Sequence, residues 1–164
     1  MVQVRPISAP YGANSIAADI NASGQVVGNS NITYNYATHA FITGPDGRFM
    51  GDLGTLGGNE SYATGINDSG KVIGYSDTQS LGSQHAFITG ADGVGMTDLN
   101  TLVNLKNGIY LGNATGINDR GQIIANGSDG HAYLLSPVPE PETYAMLLAG
   151  LGLMGFMAHR RKTA

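Results

Sequence analysis

The sequence predicts an all-β repeat domain of three four-stranded, blade-like units, a partial β-propeller, followed by one C-terminal hydrophobic transmembrane helix. Three observations predict it. One stretch recurs three times, the recurring unit alternates strand-like runs with Gly and Asn turns, and the composition changes abruptly after Leu135. A threefold barrel of the β-trefoil kind is the alternative closure.

The recurrence comes first, because a fixed period decides architecture. Residues 18–28, 64–74 and 115–125 align on an Asn, a Gly three positions later and an apolar pair: Asn21 and Gly24, Asn67 and Gly70, Asn118 and Gly121. A second marker follows each of them, His39-Ala40-Phe41-Ile42, His85-Ala86-Phe87-Ile88 and His131-Ala132-Tyr133-Leu134. A third, Asp52-Leu53, returns as Asp98-Leu99, and Val2–Ile7 stands in its place in the first copy. The His markers are 46 residues apart both times, and the Asn markers 46 and then 51. Units of about 1–44, 46–90 and 92–136 follow, within a domain of residues 1–136.

Each unit reads as four strands. In Asn67-Asp68-Ser69-Gly70 the Asn and Asp side chains cap their own backbone, and Gly takes the left-handed conformation that closes a hairpin. The His-Ala-Phe-Ile strand comes next, then an Asp-Gly turn, then the strand ending in Asp-Leu. No stretch of residues 1–136 holds an amphipathic helical period, which makes the body all-β. Four antiparallel strands every 40–50 residues describe a propeller blade, but three blades fall short of the usual four to eight. A homo-oligomer completing a propeller is one expectation.

Composition excludes several classes. Charged residues are only 12% of the chain and the net charge is −4, with five of the eight Lys and Arg residues scattered through the body. Nucleic-acid binding therefore lacks electrostatic support. Cysteine is absent, which removes disulfides, thiolate nucleophiles and Cys-type zinc sites.

After Leu135 the chain changes character. Residues 137–142 form a Pro/Glu linker, stiff because alternate prolines fix φ. Residues 143–158 carry no charge and include Thr143, Tyr144, Leu147, Leu148, Leu151, Leu153 and Phe156. A helix over them is apolar on all sides and about 24 Å long, somewhat short of the roughly 30 Å hydrocarbon core. Arg160, Arg161 and Lys162, in a basic tail of residues 159–164, would snorkel to the interface and, by the positive-inside rule, lie in the cytoplasm. The lipid bilayer is thus an expected partner.

Val138-Pro139-Glu140-Pro141-Glu142, the apolar span and Arg160-Arg161-Lys162 together resemble a PEP-CTERM sorting signal. The resemblance implies recognition by an exosortase, a membrane protease-transpeptidase that cuts near Pro139-Glu140-Pro141, in a Gram-negative bacterium that makes exopolysaccharide. The repeats resemble the HAF family of extracellular repeats, named for the motif at His39-Ala40-Phe41 and His85-Ala86-Phe87; Tyr133 departs from it. The implied location is the inner membrane with the N-terminal domain periplasmic, then the cell surface. MVQVRPISAPYG lacks the apolar core of about 7–15 residues and the cleavage site of a secretory signal, so export calls for a signal upstream of Met1.

His39, His85 and His131 recur once per unit and invite a metal reading, since three imidazoles can hold zinc. Against it, each His begins a strand and has the Asp of the Asp-Leu marker as a natural partner; no metal and no cofactor is expected. Tyr11, Tyr34, Tyr36, Tyr62, Tyr75 and Tyr110 could form a sugar-stacking face, the alternative being half-buried strand tyrosines. No nucleophile elbow, phosphate loop or His-Glu-x-x-His occurs. The expectation is a non-catalytic exported surface or matrix protein; the alternative is a carbohydrate-binding module attaching to exopolysaccharide.

Overall fold

A computed structural model describes residue 7 and residues 14–32, 37–80 and 82–138. Among these, eleven strands form three antiparallel sheets. The first holds β1 (Ser15–Ile20), β2 (Val26–Asn31), β3 (Thr38–Thr43) and β4 (Met50–Asp52) in chain order. The second repeats it with β5 (Gly57–Ile66), β6 (Val72–Thr78), β7 (Gln84–Thr89) and β8 (Met96–Asp98). The third has only β9 (Leu111–Ile117), β10 (Ile123–Gly127) and β11 (Ala132–Leu135).

The first hairpin of each sheet is built by its Asn and its Gly. Gly24, Gly70 and Gly121 stand at φ of 80, 71 and 74°, where a side chain is strained. Their N–H groups donate to the carbonyls of Asn21, Asn67 and Asn118 at 2.9–3.0 Å. The Asn side-chain oxygens then accept from the backbone N–H of Gln25, Lys71 and Gln122, each at 3.0 Å. The Asp-Gly turns also form as expected: Asp46, Gly47, Asp92 and Gly93 all have positive φ, the requirement of a type I′ hairpin turn.

The sheets stack, and each joint centres on the first strand of the later sheet. β5 packs against β1, β2 and β3, and β9 against β5, β6 and β7. Two apolar cores result. Val27, Ala40 and Ile42 of the first sheet meet Ala63, Ile66, Val72 and Phe87 of the second. Ile73 and Ala86 of the second meet Leu111, Ala114, Ile123 and Ala125 of the third, with Leu99 between. Each fully buried Val, Ile, Leu or Phe among them contributes roughly 1.5–3 kcal/mol.

Two expectations are corrected. Among the described residues the sheets close neither as a partial propeller nor as a β-trefoil barrel: every strand ladder stays within its own sheet, all three sheets remain open, and side chains make the joints. A barrel would need ladder hydrogen bonds between units. Among the described residues the third sheet has no fourth strand; Ser136 and Pro137 follow Leu135 where the other sheets have a turn. The transmembrane helix is the second correction. No helix among the described residues is long and apolar enough to cross a membrane; the helical segments there are three-residue 3-10 turns, against the roughly 20 residues a span needs. Residues 143–158 themselves, from Thr143 and Tyr144 through Leu147, Leu148, Leu151, Leu153 and Phe156, lie outside the described residues, as do Arg160, Arg161 and Lys162.

Candidate functional site

The recurrent histidines do not converge. His39 Nδ1 lies 2.9 Å from Asp52 Oδ2, and His85 Nδ1 lies 2.6 Å from Asp98 Oδ2, each pair joining the third and fourth strands of one sheet. His131 has no fourth strand beside it among the described residues and pairs with Asp129 of its own turn at 3.0 Å. Among the described residues no group of three His, Asp or Glu side chains is placed to hold a metal.

The markers Asn21, Asn67 and Asn118 turn out to join the sheets as well as to cap turns. Asn21 Nδ2 donates to the Asn67 carbonyl at 3.1 Å, and Asn67 Nδ2 to the Asn118 carbonyl at 3.2 Å. Beside them the N–H of Ala22 donates to Asp68 Oδ1 and the N–H of Asp68 to Asp119 Oδ1, both at 2.9 Å. Phe41 and Phe87 are buried side chains of their strands, and Tyr133 takes the same place in the third sheet with its hydroxyl on Asp129 at 2.8 Å. That bond lowers the Asp129 carboxyl below its ordinary range and raises the Tyr133 phenol above its own.

A groove lies where the second and third sheets part. The cross-strand partners Tyr62 and Tyr75 stack with ring centroids 4.9 Å apart and an interplanar angle of 18°. With Glu60, Gln84 and Asn113 they line a cavity of about 260 Å³. Gln84 and Asn113 also wall a second cavity of about 400 Å³ bounded by Asp77, Tyr110, Asn126 and Ser128. Tyr62 donates its hydroxyl to Glu60 at 2.9 Å, and burial, seconded by that bond, raises the pKa of its phenol above the ordinary value. Tyr110 leans on His85 at 5.3 Å. The side-chain oxygen of Asn113 is buried with no hydrogen-bond partner among the described residues. An unsatisfied buried acceptor is uncommon and calls for an explanation such as a ligand donor or water.

Three of the six tyrosines marked on sequence, Tyr62, Tyr75 and Tyr110, therefore gather at this groove, while Tyr11, Tyr34 and Tyr36 lie outside the described residues. Sequence reasoning missed Glu60, Gln84 and Asn113. Nothing in the sequence set them apart, since isolated polar residues on strands are common in so Asn- and Ser-rich a chain.

At the end of the body the linker leaves across the third hairpin. A Cβ added to Gly121 would sit 3.2 Å from Pro137 Cγ, and Val138 is exposed. Pro139, Glu140, Pro141 and Glu142 lie outside the described residues.

The PEP-CTERM protein-sorting motif matches residues 137–162. It marks a protein that an exosortase sorts to the cell surface by way of membrane anchoring. No curated protein and no solved structure matches the chain. The resemblance of the repeats to the HAF family has no match behind it.

Proposed function

We propose that the chain is a non-catalytic surface or extracellular-matrix protein of an exopolysaccharide-producing Gram-negative bacterium, its β body exposed on the periplasmic side before an exosortase processes the tail. The match over residues 137–162 carries this reading. The exposure of Val138 supports it, since a protease must reach the chain just beyond the last strand. Replacing Pro139-Glu140-Pro141 with alanines should leave an unprocessed, membrane-retained form, and changing Arg160, Arg161 and Lys162 to Gln should impair sorting. Blots of membrane and secreted fractions read both, and an unchanged distribution overturns the reading.

A second reading is favoured by the groove: the body attaches to exopolysaccharide. Tyrosine faces stack on the C–H faces of sugars, and carboxylates and amides bond their hydroxyls. Glu60, Tyr62, Tyr75, Gln84, Tyr110 and Asn113 supply that mixture in one place. Silence of the full chain on a glycan array would leave only the structural role.

A further inference from the structure

Both joints inside the molecule repeat one geometry, and the two faces that make it stand open at the ends of the described stack. On the trailing face, Val27 and Ile73 are each 0% exposed because the next sheet covers them; Ile124, their counterpart in the third sheet, is 50% exposed. Ile42 is 7% exposed and its counterpart Leu134 is 66% exposed. On the leading face the same holds in reverse. Ile66 is 6% exposed beneath the first sheet, whereas its counterpart Ile20 on β1 is 62% exposed, and most of β1 is open.

The polar parts are left open too. Among the described residues Asn118 Nδ2 reaches only Gln122 of its own turn, with no following Asn carbonyl to receive it. Ser61 accepts from the Ala40 N–H of the preceding sheet at 2.9 Å. Its counterpart Ser15 is exposed at the leading face, and the counterpart of Ala40, Ala132, is exposed at the trailing one.

We propose that copies of this chain dock head to tail, β10 and β11 of one copy seating on β1 of the next as β2 and β3 seat on β5. The occupant follows from continuity with an existing interface: these are the faces that already fit each other twice within the molecule. Asn118 then donates to Asn21 of the next copy, and Ala132 to Ser15. Two bonds are missing, because Ala22 stands where Asp68 and Asp119 supply the acceptor and Gly116 stands where Asp19 accepts from the Ile66 N–H. The junction is thereby weaker than the internal joints and reversible. Such a contact is heterologous, so it propagates unless its rotation happens to close.

Sedimentation of the full chain over a concentration series tests this. The mass should rise with concentration. Ile124→Asp with Leu134→Asp, and Ile20→Asp on its own, should each give monomers, while an equal mixture of the two variants should give dimers and nothing larger. The three side chains are at least half exposed, so these variants keep their cores. Ala22→Asp should tighten association about five- to tenfold by restoring the acceptor. A chain that stays monomeric throughout, association that survives the Ile124 and Leu134 changes, as it would through residues 143–158, or loss with those changes but not with Ile20→Asp, as in tail-to-tail pairing, each overturns the proposal.

Discussion

Asn21 donates its side-chain amide to the main-chain carbonyl of Asn67, 3.1 Å away and 46 residues along the chain. The acceptor is the residue that performs the same act toward Asn118. One side chain thus shapes a hairpin with its oxygen and binds the next sheet with its nitrogen. Turn formation and sheet stacking are consequences of the same residue.

Asn67→Ala should therefore cost more than a turn residue ordinarily does. It leaves the half-buried Lys71 N–H without its acceptor and the Asn118 carbonyl with the Gly121 N–H but without its inter-sheet donor. We expect a loss of about 2–3 kcal/mol in urea unfolding. Asn118→Ala, at an exposed turn with no described sheet beyond it, should cost roughly 1 kcal/mol less. Equal losses would mean that the inter-sheet bond contributes nothing.

Gly70 and Gly121 offer a second contrast. Both take the left-handed conformation, which an alanine tolerates at about 1–2 kcal/mol. At Gly70 an added Cβ would also stand 2.7 Å from the Asp92 backbone nitrogen, whereas at Gly121 the nearest atom is Pro137 Cγ at 3.2 Å. Gly70→Ala must push the Asp92-Gly93 turn away, and should lower the melting temperature clearly more than Gly121→Ala does.

Much of this was legible in the residues. The three copies, the Asn-to-Gly hairpins, the Asp-Gly turns and the His–Asp partnership all follow from short-range chemistry, the hairpins shown three times over and the Asp-Gly turns and His–Asp pairs twice. Closure was not legible, because the angle between stacked sheets is set by side-chain packing at β5 and β9 and leaves no mark on period or turn type. Ala22 shows the limit well: its departure from Asp68 and Asp119 is visible in the alignment, but its meaning appears only once the Asp is seen to accept from the preceding sheet. Asn113 is similar, a strand residue in sequence and an orphaned acceptor in a groove once the sheets are stacked.

Titration gives a third test. The Tyr133 hydroxyl is the largest cause holding the Asp129 carboxyl below its ordinary value of 3.8. A depressed native pKa means that the carboxylate stabilises the fold above the unfolded value, and that this contribution is lost as pH falls through the native one. Tyr133→Phe should raise the Asp129 midpoint, read from its side-chain carbonyl carbon by NMR, and should flatten the acid limb of stability below about pH 4. The phenol moves the other way: Tyr133 is raised by the same bond, so its stabilisation is present below its unfolded pKa and lost as pH rises through the alkaline range. An unmoved Asp129 midpoint in the variant would show that the hydroxyl does not hold the carboxylate in solution.

The groove is tested by residues that differ in what they support. Tyr75 stacks on Tyr62 and faces the cavity, so Tyr75→Ala removes the platform on which a sugar ring would rest. Aromatic stacking contributes on the order of 1 kcal/mol beyond buried area, and loss of both should weaken glycan retention at least tenfold. Asn113→Leu removes the unpartnered acceptor without emptying the space. If that acceptor exists to meet a sugar hydroxyl, the variant loses binding; because a buried acceptor without a partner costs about 1–3 kcal/mol, it should also unfold at higher urea than the parent. Gain of stability paired with loss of glycan is the signature of a polar atom kept for a ligand. Gain of stability with binding unchanged would place the sugar elsewhere, and no gain would mean that water already satisfies Asn113.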